Sequence, residues 1–108
     1  MSDTRDEKII KIIKIAAANF LERESNGASL ITVTDVKLSN DGKYATILFT
    51  VLPEDKQDAA LEFAKRMRSE FKDYIKKNTK IGIIPMFDFG IDFGEKHRQR
   101  IDEISLKN

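Results

Sequence analysis

The stretch Thr32-Val33-Thr34-Asp35-Val36-Lys37-Leu38-Ser39-Asn40-Asp41-Gly42-Lys43-Tyr44-Ala45-Thr46-Ile47-Leu48-Phe49-Thr50-Val51-Leu52 reads as two β-strands around a tight polar turn. Val, Ile, Thr, Tyr and Phe suit the pleated backbone, whereas Asn40-Asp41-Gly42 gathers residues that tolerate positive φ and bond their own backbone. In the second half, Ala45, Ile47, Phe49 and Val51 share one face, and Tyr44, Thr46, Leu48 and Thr50 share the other. That is the period of a half-buried strand. The first strand, about Leu30 to Leu38, changes phase: Ile31 and Val33 fall in one register, Val36 and Leu38 in the other. The slip lies near Thr34-Asp35. A β-bulge there would re-aim the following side chains, and a strand apolar on both faces would give the same pattern.

Before the hairpin, Thr4 to about Glu24 predicts a helix. Thr4-Arg5-Asp6-Glu7 matches a capping box, and Ile9, Ile12, Ile13, Ala16, Phe20 and Leu21 recur at helical spacing. Gly27 is the expected stop, because glycine takes the left-handed conformation that ends a helix. After Pro53, the acidic run Glu54-Asp55-Lys56-Gln57-Asp58 places negative charge at the start of a second helix. Its apolar positions Ala60, Ala64, Met67, Phe71, Tyr74 and Ile75 continue to about Asn78, as one helix or as two joined near Ser69-Glu70. A last strand is expected from Met86 to Phe93, after a proline that cannot join a ladder. Residues 95–108 are expected as a short helix or mobile tail.

The order is therefore α-β-β-α(α)-β, an α+β pattern with a three-stranded sheet packed on helices. It lacks the paired βαβ halves of a ferredoxin-like domain and the many strands of an oligonucleotide-binding barrel. It fits a type II KH-like domain. At 108 residues, one domain spanning 1–108 and one core are expected.

Composition removes whole classes of chemistry. With no cysteine, disulfides, thiolate nucleophiles and cysteine metal sites are excluded. The one histidine, His97, sits among Lys96, Arg98 and Arg100, which would repel a metal ion. Asp88 and Asp92, four apart on the last strand, are the best acid pair. Without a third acid or histidine at a metal-site spacing they read as solvated, turn-bonding or paired to a basic helix. No catalytic residue, metal, cofactor or small-molecule substrate is expected. No apolar run suits a membrane span, and the charged N-terminus is unlike a signal peptide, so a cytoplasmic protein without membrane contact is expected.

The run V-T-x-V-x-L-S-x-D-x-x-x-A-T, from Val33 to Thr46, resembles the ribosome-binding factor A family. Two more segments agree in order: the helix through Arg68-Ser69-Glu70-Phe71, and Ile84-Pro85-Met86-Phe87-Asp88-Phe89-Gly90-Ile91-Asp92, which is similar to the family's proline, apolar, phenylalanine and aspartate ending. The resemblance implies a KH-like fold in which a helix kink of Ala-x-Gly type replaces the Gly-x-x-Gly loop of nucleic-acid-binding KH domains. This chain has no Gly-x-x-Gly, and Met67-Arg68-Ser69 stands at the kink. Gly82 stands roughly where the family carries an arginine before the proline. The resemblance further implies a ribosome assembly factor that binds the free immature small (30S) subunit and assists maturation of its 16S rRNA. It is expected to be a monomer when free.

Net charge is only +1, yet the charges are segregated. Glu54 to Glu62 is acidic, whereas Lys65, Arg66, Arg68, Lys72, Lys76, Lys77 and Lys80 crowd the next stretch against only Glu70 and Asp73. Lys65, Arg68, Lys72 and Lys76 recur every three or four residues, a stripe suited to RNA phosphates or, more plainly, to solvent. Lys8 and Lys11, with Lys14 and Arg5, form a second stripe on the first helix that extends the footprint or merely solubilises. Phe49, Phe71, Phe87 and Phe89 do not interleave with these cations and are expected in the core, so base stacking is not supported. A general KH-type single-strand RNA binder and a protein-interaction module with a basic face are the alternatives.

Overall fold

A computed structural model describes residues 4–25 and 27–94. The expectations for residues 95–108, including His97 and the tail, lie outside the described residues, as does the Thr4 side chain of the capping box. The chain runs α1 (Thr4–Glu24), β1 (Leu30–Leu38), β2 (Tyr44–Leu52), a 3-10 turn (Glu54–Lys56), α2 (Gln57–Arg66), α3 (Arg68–Asn78) and β3 (Met86–Ile91).

The sheet order is β1-β2-β3, with β1 antiparallel and β3 parallel to β2. A parallel neighbour needs a long crossover, which α2 and α3 supply. The β2 side chains Ala45, Ile47, Phe49 and Val51 are buried, and the alternate residues are half-buried or exposed, so the helices cover one face. The bulge is present. Val33 pairs with Phe49 and Asp35 with Leu48, leaving Thr34 as the extra residue. This shift lets both Val33 and Val36 reach the core.

At the hairpin tip, the Ser39 hydroxyl donates to Asp41 Oδ1 (2.7 Å) and accepts from Tyr44 N (3.0 Å). Asp41 Oδ1 also accepts from Lys43 N (3.0 Å), and Gly42 takes φ +74°, which a side chain would resist. The Asp41 carboxyl is thereby held below the usual carboxylate range, first by the Ser39 hydroxyl and then by the Lys43 amide.

From α1, Ile13, Ala16, Ala17, Phe20 and Leu21 enter the core, but Ile12 stays 38% exposed, on the flank of the apolar stripe rather than within it. Ala60, Ala64, Phe71 and Ile75 bring α2 and α3 to the same core. Small alanines on α2 permit close approach to the sheet, and Phe71 fills the centre. Its ring meets Phe87 edge-on at 4.7 Å and lies 5.3 Å from Phe20 and 5.7 Å from Phe89. The four phenylalanines expected inside are all inside.

Three boundaries differ from expectation. The acidic run after Pro53 forms a 3-10 turn before α2 begins at Gln57. The long helix breaks at Met67, whose backbone lies at φ −93° and ψ 10°, short of the Ser69-Glu70 joint read from periodicity and within the Met67-Arg68-Ser69 segment that the family resemblance places at the kink. β3 ends at Ile91 instead of Phe93. Asp92 N still donates to Phe49 O (2.8 Å), but the Asp92 carboxylate accepts from Thr34 Oγ1 and from the Gly94 amide, which turns the chain out of the ladder.

Candidate nucleic-acid interface

The helix break brings charged side chains from three elements together. Met67 N still donates to Ala64 O (3.0 Å), and Phe71 N to Met67 O (2.8 Å), so the chain bends without losing its hydrogen bonding around the joint. Arg68 Nε donates to the Lys65 carbonyl at 3.1 Å, satisfying an acceptor in the last turn of α2. The same guanidinium reaches Asp88 Oδ1 on β3 through Nη1 at 3.3 Å. Lys65 Nζ meets the identical oxygen at 3.4 Å. Asp88 Oδ1 also accepts from the Phe89 amide at 2.8 Å, which fixes the carboxylate to the strand.

Lys65 and Arg68 therefore converge across the joint although they belong to different helices. Their side chains and that of Asp88 are 43–50% exposed, so each pair contributes only about 0.2–1 kcal/mol to stability. Lys72 and Lys76 follow Arg68 on α3 at four-residue steps and are exposed, extending the same face. Neither forms an ion pair with a described residue.

The other cations fall elsewhere. Arg66 pairs with Glu62 at 3.3 Å one helical turn back. Lys77 borders a recess with Phe20, Arg23 and Tyr74, on the α1 side of α3. Lys80 borders the groove between α1 and α3 beside Ile12 and Ile15. Lys8 and Lys11 are exposed on α1. Asp88 and Asp92 do not act as a pair: Asp88 is drawn to the basic joint, and Asp92 to Thr34 of the bulge. Among the described residues, no three acids or histidines gather as metal ligands. No helix among them is long and apolar enough to cross a membrane.

The spacing of the stripe is readable in the sequence. The Arg68 bond to the Lys65 carbonyl is not, since only the break brings that guanidinium back over α2. Three-residue spacing between two cations at an expected kink is the signal that points to it.

Comparison with known proteins identifies the family and the fold. Residues 5–105 match the family profile described as ribosome-binding factor A. A ribosome-binding factor A from Kineococcus radiotolerans is 34% identical over 96 residues, covering 82% of this chain and 54% of its own length. One from Kosmotoga olearia is 27% identical over 100 residues, covering 92% of this chain and 80% of its own. The chain thus spans about half of the first relative and most of the second. The crystal structure of ribosome-binding factor A from Thermus thermophilus superposes with a TM-score of 0.70 at 20% identity, covering 79% of this chain and 92% of that one. That likeness establishes the KH-like fold.

Proposed function

Because the chain belongs to the ribosome-binding factor A family, we propose that it binds the free, immature small (30S) ribosomal subunit and assists folding and processing of its 16S rRNA. It acts as a monomeric, cytoplasmic binding protein without catalysis. RNA phosphates dock along Lys65, Arg68, Lys72 and Lys76, with Lys77, Lys80, Arg66, Lys8 and Lys11 at the margins of the footprint. Arginine contributes bidentate geometry and lysine a mobile point charge. The observation that carries this assignment of the face is the convergence of Lys65 and Arg68 at the helix joint, continued on α3 by two lysines that pair with no described acid.

The mechanism is electrostatic and mechanical. Cations release counterions condensed on the RNA, and the rigid sheet and helices favour one arrangement of a flexible RNA segment over others. The rings of Phe49, Phe71, Phe87 and Phe89 are buried and offer no stacking platform for bases, so the reading rests on phosphate contacts. The test is sedimentation of tagged protein with ribosomal particles resolved on a gradient under conditions that stall assembly. The protein is expected with free small subunits and their precursors and depleted from translating ribosomes. Absence from the small-subunit fractions overturns the proposal.

A further inference from the structure

We propose that Asp88 is a positioning residue that competes with RNA phosphate for Lys65 and Arg68, so that this pair engages only a polyanion already held by neighbouring cations. The inference rests on the RNA-binding reading of the stripe. One carboxylate oxygen, Asp88 Oδ1, faces Lys65 Nζ at 3.4 Å, Arg68 Nη1 at 3.3 Å and the Phe89 amide at 2.8 Å. The backbone bond is tight and the two ionic contacts are long, since charge-assisted N–H to oxygen bonds ordinarily fall near ~2.7–2.9 Å. Asp88 thus stays on β3 while its hold on the cations is loose.

A phosphate offers several oxygens and matches the arginine fork in a bidentate manner, which the single shared oxygen does not. Free in solution, it nevertheless competes against a carboxylate fixed on the neighbouring strand, whose effective concentration is on the order of millimolar or higher. RNA escapes that handicap. It lands first on Lys72 and Lys76, which pair with no described acid, and its next phosphate then reaches the pair intramolecularly. When Asp88 is displaced, Arg68 remains aimed, because its Nε stays on the Lys65 carbonyl at 3.1 Å. The carboxylate keeps its bond to the Phe89 amide and returns when the RNA leaves.

The experiment measures binding of an oligouridylate of about 20 nucleotides by fluorescence anisotropy over a salt series, with thermal unfolding recorded for every variant. Asp88→Asn retains an oxygen for the Phe89 amide and removes the competing charge. It is expected to bind about three- to tenfold tighter, from two exposed pairs each equivalent to at most about fivefold. The slope of log affinity against log salt is expected to stay unchanged, because the same phosphates are contacted. In a Lys65→Met/Arg68→Met background, the same substitution is expected to change affinity less than about twofold. Asp88→Ser, a shorter acceptor, is expected to reproduce the gain if Asp88→Asn unfolds. Unchanged or weaker binding by folded Asp88 variants overturns the proposal, as does an equal gain in the Met/Met background, which would indicate only long-range charge. If Lys65→Met/Arg68→Met itself leaves binding unchanged, the assigned RNA face is wrong and the proposal falls with it. If that variant loses affinity and Asp88 variants do nothing, Asp88 alone is misassigned.

Discussion

Asp41 shows how one residue converts a turn sequence into fixed geometry. Its carboxylate takes the Ser39 hydroxyl at 2.7 Å and the Lys43 amide at 3.0 Å, both of which favour the charged form. The folded-state value is therefore lower than the ordinary 3.8. A depressed carboxyl adds stability that is fully present above its unfolded value and is lost as pH falls through the folded one. Titration of the Asp41 side-chain carbon by NMR is expected to show a midpoint below that of an unstructured aspartate. Ser39→Ala removes the leading cause, so it should move the midpoint back toward the ordinary value and flatten the acid side of the stability profile. An unchanged midpoint in Ser39→Ala would show that the hydroxyl is not the partner that matters. The same serine accepts from Tyr44 N, which explains physically why a serine and an aspartate two apart accompany this hairpin.

At the scale of elements, the bulge in β1 does more than re-aim side chains. Thr34, the residue without a cross-strand partner, turns its hydroxyl to Asp92, 58 positions along the chain, and lies 3.3 Å from the Leu48 carbonyl. One side chain thereby ties β1 to the end of β3 across β2. Thr34→Val keeps the β-branched shape and deletes the donor, removing one hydrogen bond from a part-buried carboxylate. A loss of about 1–2 kcal/mol is expected in urea unfolding, with an unchanged m-value. A shift of only a few tenths of a kcal/mol would mean that water replaces the hydroxyl without penalty. The slip at Thr34-Asp35 is visible in the sequence, because Ile31, Val33, Val36 and Leu38 cannot face one core without it. Its partner is not, since no local pattern joins Thr34 to Asp92. The break at Met67 is not legible in the local pattern, and only the family resemblance, which puts the kink at Met67-Arg68-Ser69, points to it. No glycine or proline marks it, and the apolar positions Ala60, Ala64, Phe71 and Ile75 keep helical spacing straight through. The site inherits that difficulty. Four cations at regular spacing are legible as a stripe, but the divergence of Arg66 and Lys77 depends on where each helix starts and on which neighbour it meets.

For the whole molecule, a net charge of +1 conceals the property that matters, namely which surface carries the excess. The acidic positions Glu54, Asp55, Asp58 and Glu62 precede the joint, and Lys65, Arg68, Lys72 and Lys76 follow along it. All four cations are exposed, so their replacement leaves the core of Phe20, Phe49, Phe71 and Phe89 intact. Reversal of all four to glutamate is expected to abolish binding to purified small subunits while circular dichroism stays that of the folded protein. The modest stability loss should come chiefly from the reversals at Lys65 and Arg68, which turn two attractive contacts with Asp88 into repulsive ones. Neutralising one lysine at a time is more diagnostic. If Lys72 and Lys76 each neutralise one phosphate of single-stranded RNA, Lys72→Met and Lys76→Met should each reduce the salt slope by about 0.7. A charge that acts only through the overall field would instead shift affinity in proportion to net charge, whichever surface it occupied. Asp58→Asn on the acidic side supplies the control, a unit change in net charge of opposite sign. A gain from Asp58→Asn as large as the loss from Lys72→Met, with no change of slope in either, would remove the assignment of the stripe as a phosphate-contact surface.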